Sequence, residues 1–342
     1  MTRVYLSLGT NLGDRETQLR KAVGLLQESF GLFALSGLWE TEPWGRVRQP
    51  PFLNLALGLE VSGSIEAFFS HIQAIEQRLG KRRDGFWAAR NIDIDLLFWG
   101  HEHYRSPHLL VPHPYWHQRA FVLKPLLEIA PLLNPGGKNL PFWLRRCEAE
   151  DPSVAARRVG QLEGISLPPP TPLSYEELEA QGVILKGIAG VDARQGLARE
   201  GRIPWELPED RSFFREQTRD GILCLGRKTM ESLPHAFAPE ERELWILSRN
   251  ASSCDRFPAA LVFHHPRELR DVRTPKNIWI CGGGEVYAQF LPLCSEIYLT
   301  QLAADYNCDQ FLDPSWRKLF SEMRCLKRNP HDAVWYYRRL GE

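Results

Sequence analysis

Net charge is the first thing this 342-residue chain lacks, because 42 Lys and Arg residues balance 42 Asp and Glu residues to a formal +0. Long-range attraction to nucleic acid or to an anionic membrane is therefore not expected, and anionic substrates must be held by local basic clusters. No stretch approaches the ~18 consecutive apolar residues of a membrane span. The opening VYLSLG followed by NLGDRE also lacks a charged segment leading into an apolar run, so a cytoplasmic location is expected. Cys147, Cys224, Cys254, Cys281, Cys294, Cys308 and Cys325 form no Cys-x-x-Cys pair and no zinc-type spacing with histidine. Unpaired thiols in a reducing compartment fit that pattern. No internal repeat is present.

What the chain does have is ordinary globular composition, 43% hydrophobic and 25% charged, at a length too great for one typical core. Two domains are expected. The clearest break is Ser166–Leu173, with prolines at 168, 169, 170 and 172. Proline removes backbone donors and favours extended backbone, so a stiff linker over 164–173 is predicted between domains at 1–163 and 174–342, with a short capped helix starting at Ser174.

The first half alternates strand and helix patterns: strands at Val4–Leu8, Leu53–Val61 and Ile92–Phe98, helices at Arg15–Ser29 and Ile65–Leu79. That order predicts an α/β domain with helices packed on a sheet. The second half carries unbroken β-branched runs at Val183–Val191, Ile222–Leu225, Leu244–Leu247, Ala260–Phe263, Ile278–Cys281 and Ile297–Leu302, interrupted by helical patterns at Glu209–Thr218 and Glu285–Phe290. Runs without polar alternation predict strands covered on both faces, as in a doubly wound sheet, with Ala333–Leu340 as an antiparallel edge.

In Arg90-Asn-Ile-Asp-Ile-Asp-Leu-Leu-Phe98, alternation places Asp93 and Asp95 on one strand face. Two neighbouring carboxylates repel unless a cation lies between them, and magnesium takes one or two carboxylates plus substrate phosphates. The pair alone reads equally well as a solvent-facing strand. Lys81, Arg82, Arg83 and Arg90 nearby supply the cations that a triphosphate site needs.

The pieces LSLGTNLGD, ETEPWG, QPPFLN, RNIDIDLL and VPHPYWHQRAFVLKPL occur in order along the first ~160 residues, a domain-sized stretch. Together they resemble the 6-hydroxymethyl-7,8-dihydropterin pyrophosphokinase family. The resemblance implies a ferredoxin-like core and transfer of pyrophosphate from ATP to the pterin hydroxymethyl group, with AMP released. It places two Mg²⁺ ions on Asp93 and Asp95. Pterin contacts fall on Thr41, Pro43, Trp44, Gly45, Phe52, Asn54 and Phe121. ATP contacts fall on Lys81, Arg83, Trp87, Arg90, His113 and Arg119, with Arg83, Arg90 and His113 catalytic. The family's usual Trp-Gly-Pro-Arg run is Trp87-Ala-Ala-Arg90 here.

In the second half, Pro208 with Glu209 and Asp210 is good helix-starting chemistry, which alone accounts for an acid at 210. Asp210, Phe214 and Thr218 also share a helix face, and an acid beside an aromatic ring suits a 2-amino-4-oxo pteridine, with burial raising its pKa. Gly226-Arg-Lys-Thr229, Ser248-Arg249 and Gly282-Gly-Gly-Glu-Val-Tyr287 each follow an expected strand, where glycines let backbone N–H groups approach a pyrophosphate. Arg227, Lys228 and Arg249 suit a 2′-phosphate, hence NADPH over NADH.

The segments GLAREGRIPWELPED, LGRKTMESLP, LWILSRN, WICGGGEVYAQFLP and IYLTQL resemble dihydrofolate reductase from about Val183 onward. The resemblance implies a doubly wound mixed-sheet domain that reduces 7,8-dihydrofolate. Asp210 would anchor the pterin and relay the proton, with Trp205 holding a water. Ile188, Phe214, Arg242 and Thr300 complete the dihydrofolate contacts. NADPH contacts fall on Ala189, Leu197, Gly226, Arg227, Lys228, Thr229, Ser248, Arg249, Gly282, Gly283, Gly284, Glu285, Val286 and Tyr287. Ala198 stands where the family usually has glycine. Two other readings compete: a degenerate binding or regulatory half, which intact Asp93, Asp95 and Asp210 oppose, and a reductase for a riboflavin-pathway pyrimidine, which Asp210 within PWELPED opposes. The implied partners are pterin and folate substrates, ATP and NADPH, without nucleic acid or membrane.

Overall fold

The structure, a computed structural model, describes residues 1–43, 49–81, 90–151, 155–233, 242–250 and 257–340. It divides into two units, Met1–Pro170 and Thr171–Glu342, with the boundary inside the proline-rich segment. Among the described residues no helix is long and apolar enough to cross a membrane.

The first unit is built on an antiparallel sheet. Its strands are β1 (Thr2–Thr10), β2 (Gly31–Leu35), β3 (Leu38–Thr41), β4 (Phe52–Val61), β5 (Asp93–Trp99) and, after the small β6–β7 hairpin (Tyr104–Arg105 and Leu110–Val111), β8 (Ala156–Gly160). The spatial order is β5-β1-β4-β3-β8, with β2 also on β4. That interleaving is the ferredoxin-like arrangement expected. Alternation along the strands divides the core: Val4, Leu6, Leu8, Ile92, Ile94 and Leu96 face α1 (Arg15–Ser29) and α2 (Ile65–Arg78), while Tyr5, Leu97 and Phe98 face α3 (Ala120–Ile129) and α4 (Leu140–Glu150). In α1, Leu19, Ala22, Val23 and Leu26 form the buried stripe, and Asp14 caps the helix by accepting from Thr17 N at 3.1 Å. Ser64 caps α2 in the same way.

The second unit holds α5 (Tyr175–Ala180), β9 (Leu185–Val191), β10 (Gly196–Ala198), α6 (Pro208–Gln217), β11 (Ile222–Gly226), α7 (Arg227–Ser232), β12 (Glu243–Leu247), β13 (Leu261–Phe263), β14 (Ile278–Ile280), α8 (Gly284–Phe290), β15 (Glu296–Leu302), β16 (Gln310–Phe311), β17 (Phe320–Arg328) and β18 (Asp332–Arg339). The eight-stranded sheet runs β13-β12-β11-β14-β9-β15-β18-β17. Pairing is parallel from β13 to β15 and antiparallel for the last two strands. The expected doubly wound mixed sheet is present. One detail differs: the Ala333–Leu340 segment is antiparallel, but it is the penultimate strand, and β17 takes the edge. FSEMRCLKR has no apolar alternation to announce a strand, and it holds its place by a backbone ladder to β18 that shifts register twice.

Much of the expected linker is tied down, each end on its own unit. Arg20 Nε donates to Glu163 O at 3.1 Å and Gln27 Nε2 to Ser166 O at 2.8 Å. In the second unit, Arg270 donates to Thr171 O at 3.0 Å and Pro172 O at 2.7 Å, and pairs with Glu177 at 2.7 Å. Ser174 and Glu177 form a reciprocal capping box at the start of α5.

Two candidate active sites

The first site sits where β1 and β5 present their α3-side faces. Asp93 pairs with Gly9 and Asp95 with Ser7 in the ladder, so both carboxylates stand on one face, over two small residues. Asp93 bonds Lys81 Nζ at 2.6 Å and is paired with Arg90. Asp95 lies 3.2 Å from Arg119 and 3.9 Å from His113 Nε2. Gly9 is required here: a Cβ would approach Asn54 Oδ1 to 2.7 Å, so only glycine leaves room for that buried amide, which donates to Thr41 Oγ1 at 2.9 Å. Arg119 precedes α3 and lies 5.6 Å from the centroid of the Phe121 ring.

These groups shape one another's protonation. Burial and the Asp93 charge push Asp95 up to about 6 against the pull of Arg119. Burial, reinforced by the Arg119 charge, lowers His113 to about 4, so the imidazole is neutral at pH 7 and offers a hydrogen bond rather than a charge. Burial opposes the charge on Lys81, but Asp93 and Glu76 outweigh it and raise its pKa. Glu76 is a residue that sequence reasoning missed. It is 7% exposed, accepts from Lys81 at 2.5 Å and from Ile94 N at 2.7 Å, and so ties α2 to the backbone between the two aspartates. Its signal was a charged residue inside the apolar stripe of α2, beside Ile72 and Ile75.

A small pocket of ≈ 80 Å³, as bounded by the described residues, is lined by Thr41, Phe52, Asn54, Arg90, Asp93, Asp95, Arg119 and Phe121. Glu42, within the Thr41–Gly45 segment expected at the pterin, lines it too, as do Ser7, Gly9 and Gln49, which the sequence did not single out. Lys81 and His113 touch the aspartates from outside this lining, and Pro43 is not part of it. Trp44, Gly45, Arg83 and Trp87 lie outside the described residues. Two carboxylates among many cations make a hard oxygen donor set suited to Mg²⁺ with phosphates, which needs few protein ligands.

The second site is a cavity of ≈ 1920 Å³ along the ends of β9, β11, β12 and β14. It is lined by Ile188, Ala189, Leu197, Trp205, Asp210, Phe214, Gly226–Thr229, Arg242, Ser248, Arg249 and Gly282–Tyr287. Every sequence-predicted residue of this half therefore meets in one space except Thr300, which stands behind Asp210 and donates to its Oδ1 at 2.6 Å. Asp210 lies in the first turn of α6, where the helix dipole favours the ionised form by about 0.3–1 kcal/mol. Burial works the other way and, against the Thr300 hydrogen bond, raises its proton affinity. Trp205 and Asp210 converge over Gly190, where a Cβ would lie 3.5 Å from the indole and 3.7 Å from Asp210 Oδ2. Arg242 is buried and donates to Thr218 Oγ1 at 3.1 Å, with its guanidinium 5.9 Å from the Phe214 ring centroid.

At the far end, Arg227, Lys228 and Arg249 share the lining with His264 and His265, which the sequence reading did not single out. Arg227 is also paired with Glu231 one turn on, at 2.6 Å. Gly282 has φ +102°, a conformation suited to glycine, and leads the chain into α8. From α8, Tyr287 donates to Ile188 O at 2.7 Å and braces the helix against β9.

Comparison with known proteins decides what these sites belong to. Residues 5–131 match the family 7,8-dihydro-6-hydroxymethylpterin-pyrophosphokinase. A 2-amino-4-hydroxy-6-hydroxymethyldihydropteridine pyrophosphokinase of Porphyromonas gingivalis is 44% identical over 142 residues, spanning 40% of this chain and 95% of that protein. The chain belongs to this pyrophosphokinase family. A protein of the same name from Pseudomonas aeruginosa is 36% identical over 151 residues, 43% of this chain and 93% of its own length. Residues 184–336 match the family Dihydrofolate reductase. A solved Dihydrofolate reductase from Enterococcus faecalis, complexed with NADP(H) and RAB-propyl, aligns with TM-score 0.40 and 25% identity over 46% of this chain and 96% of its own. The pyrophosphokinase domain is thus followed by a dihydrofolate reductase domain, and the chain is a bifunctional enzyme of the folate pathway.

Proposed function

We propose that the pyrophosphokinase domain transfers pyrophosphate from Mg-ATP to 6-hydroxymethyl-7,8-dihydropterin, releasing AMP, and that the reductase domain reduces 7,8-dihydrofolate to tetrahydrofolate with NADPH. The observation that carries the reading is the contrast in how the two domains hold their acids. Asp93 and Asp95 share a strand face among Lys81, Arg90 and Arg119, whereas Asp210 stands in a cavity with a hydroxyl for its partner. Residues 1–163 and 174–342 are taken as the functional domains, joined through 164–173.

In the first domain, Asp93 and Asp95 would hold two Mg²⁺ ions, which when bound neutralise phosphate charge. The chain's own part is positioning. Phe52 and Phe121 stack the pterin and Asn54 with Thr41 reads its polar edge, which aims the hydroxymethyl oxygen at the β-phosphorus. Arg90 and Arg119 stabilise charge developing on the phosphoryl oxygens, and neutral His113 adds a hydrogen bond. Pro43, Trp44 and Gly45 are assigned to the pterin, and Lys81, Arg83 and Trp87 to ATP, on the family resemblance.

In the second domain, Asp210 binds the pteridine edge and supplies the proton for N5 through a water held by Trp205; NADPH, when bound, would supply the hydride for C6. Phe214 and Ile188 flank the ring, Thr300 orients Asp210, and Arg242 takes the tail carboxylate. Ala189, Leu197, Gly226–Thr229, Ser248, Arg249 and Gly282–Tyr287 would hold NADPH, with Arg249, Lys228 and Arg227 available for its 2′-phosphate. The test is one preparation of the full chain in two assays: AMP release from Mg-ATP with hydroxymethyldihydropterin, and NADPH oxidation by dihydrofolate. Both activities are expected. A folded chain without one of them removes that half of the proposal.

A further inference from the structure

Behind Asp210 stands a second carboxylate outside the cavity lining. Asp332 opens β18, is 8% exposed, and pairs with Leu302 in the same register that pairs Val334 with Thr300. Side chains two apart on a strand share a face, and so do directly paired residues. Asp332, Val334, Leu302 and Thr300 therefore look to one side of the sheet. It is the side that α6 covers, because Phe213 meets Tyr298 with ring centroids 6.2 Å apart and Thr300 bonds Asp210 at 2.6 Å. Asp332 is thus the diagonal neighbour of the hydroxyl that holds Asp210, at a separation on the order of 7–8 Å across such a ladder.

No ion pair neutralises Asp332 among the described residues. Its carboxylate accepts a hydrogen bond from the uncharged Asn329 Nδ2 at 2.9 Å, and Asn329 Oδ1 accepts from Asp332 N at 2.9 Å in return. The other groups facing Asp210 do little to offset that charge. Arg211, on the same helix, is exposed and turned to Glu206 at 3.7 Å. Tyr287 from α8 is buried, and its hydroxyl is engaged with Ile188 O. Thr300 from β15, Gly190 from β9 and Trp205 from the preceding loop are uncharged.

We propose that Asp332 is a positioning residue for the reductase reaction, its buried negative charge disfavouring ionised Asp210 and keeping that acid protonated where hydride is transferred. Four influences on Asp210 can be ordered: burial raises its proton affinity most, the Thr300 hydrogen bond opposes this, and the Asp332 charge, which raises it, precedes the opposing Arg211. The inference rests on Asp210 being the proton-supplying acid. The sign follows: the rate is full where Asp210 is protonated and falls as pH rises through its pKa. Removing the Asp332 charge lowers that pKa and moves the fall to lower pH.

The experiment is single-turnover hydride transfer across pH in the full chain, with dihydrofolate and saturating NADPH. Asp332→Asn is expected to shift the alkaline limb to lower pH and leave the acid plateau near wild type, so the loss grows with pH. Asp332→Glu, which restores the charge, should return the limb towards wild type. If Asp332→Asn does not fold, Asp332→Ser makes the same charge change, and infrared titration of the Asp210 carboxyl reads the shift without turnover. A limb that superimposes on wild type in the folded neutral variant overturns the proposal. Asp210→Asn separates the two claims. If it keeps wild-type rates at all pH, Asp210 is not the acid; if it collapses while the Asp332→Asn limb stays put, only the role of Asp332 fails.

Discussion

The two sites use the same side chain for opposite purposes. In the pyrophosphokinase domain, Asp93 and Asp95 are ringed by Lys81, Arg90 and Arg119, and on the proposed reading carboxylate charge is the functional quantity. In the reductase domain, Asp210 has a hydroxyl and an indole for company and a second acid behind it, and on the proposed reading the functional quantity is a retained proton. Burial raises the pKa at Asp95 and at Asp210 alike. What differs, on the proposed reading, is the cure: cations and a substrate-borne metal in one case, protonation in the other.

Several experiments break or sharpen that contrast. The largest expected effect is metal removal: EDTA should abolish AMP release and leave NADPH oxidation at its starting rate, as read by parallel assays on one sample. Next, Asp210→Asn should slow hydride transfer by about 10²–10⁴-fold at neutral pH. The residual rate should climb on acidification as solvent takes over proton delivery, and stopped-flow rates from pH 5 to 9 check this. Pyrophosphoryl transfer in that variant should be unchanged. Smaller is the loss of one cation at the far end of the cavity. Arg249→Ala should weaken NADPH by roughly tenfold, the loss of one charge-assisted contact, while changing NADH little. Equilibrium titration with each cofactor measures the ratio, and equal weakening would remove Arg249 from the 2′-phosphate.

The same contrast explains which features were readable in the sequence. The Asp93 and Asp95 pair is local, since period-2 alternation places both on one face whatever else the chain does. The glycine-rich strand ends and the basic residues beside them are local too, and the cavity brings them together. Partnerships across the fold were not readable in that way. Thr300 lies 90 residues from Asp210, and only the family resemblance connected them. Glu76 and Asp332 belong to no motif: one is placed by a helix face, the other by a ladder register that composition does not encode. β17 escaped because, after the buried Phe320, most of its described residues are exposed, and its pairing is carried by backbone hydrogen bonds rather than by an apolar pattern.

The most direct test of the central claim is Asp95→Asn in the full chain, assayed in both reactions. The substitution keeps the shape of the side chain and removes one charge from the pair on β5. AMP release should fall by at least about a hundredfold, the scale of losing a charged group that stabilises phosphoryl transfer. NADPH oxidation by dihydrofolate should stay at the wild-type rate. Unchanged AMP release would contradict the two-carboxylate metal site, and a parallel loss of both activities would contradict the separation of a charge-using site from a proton-using one.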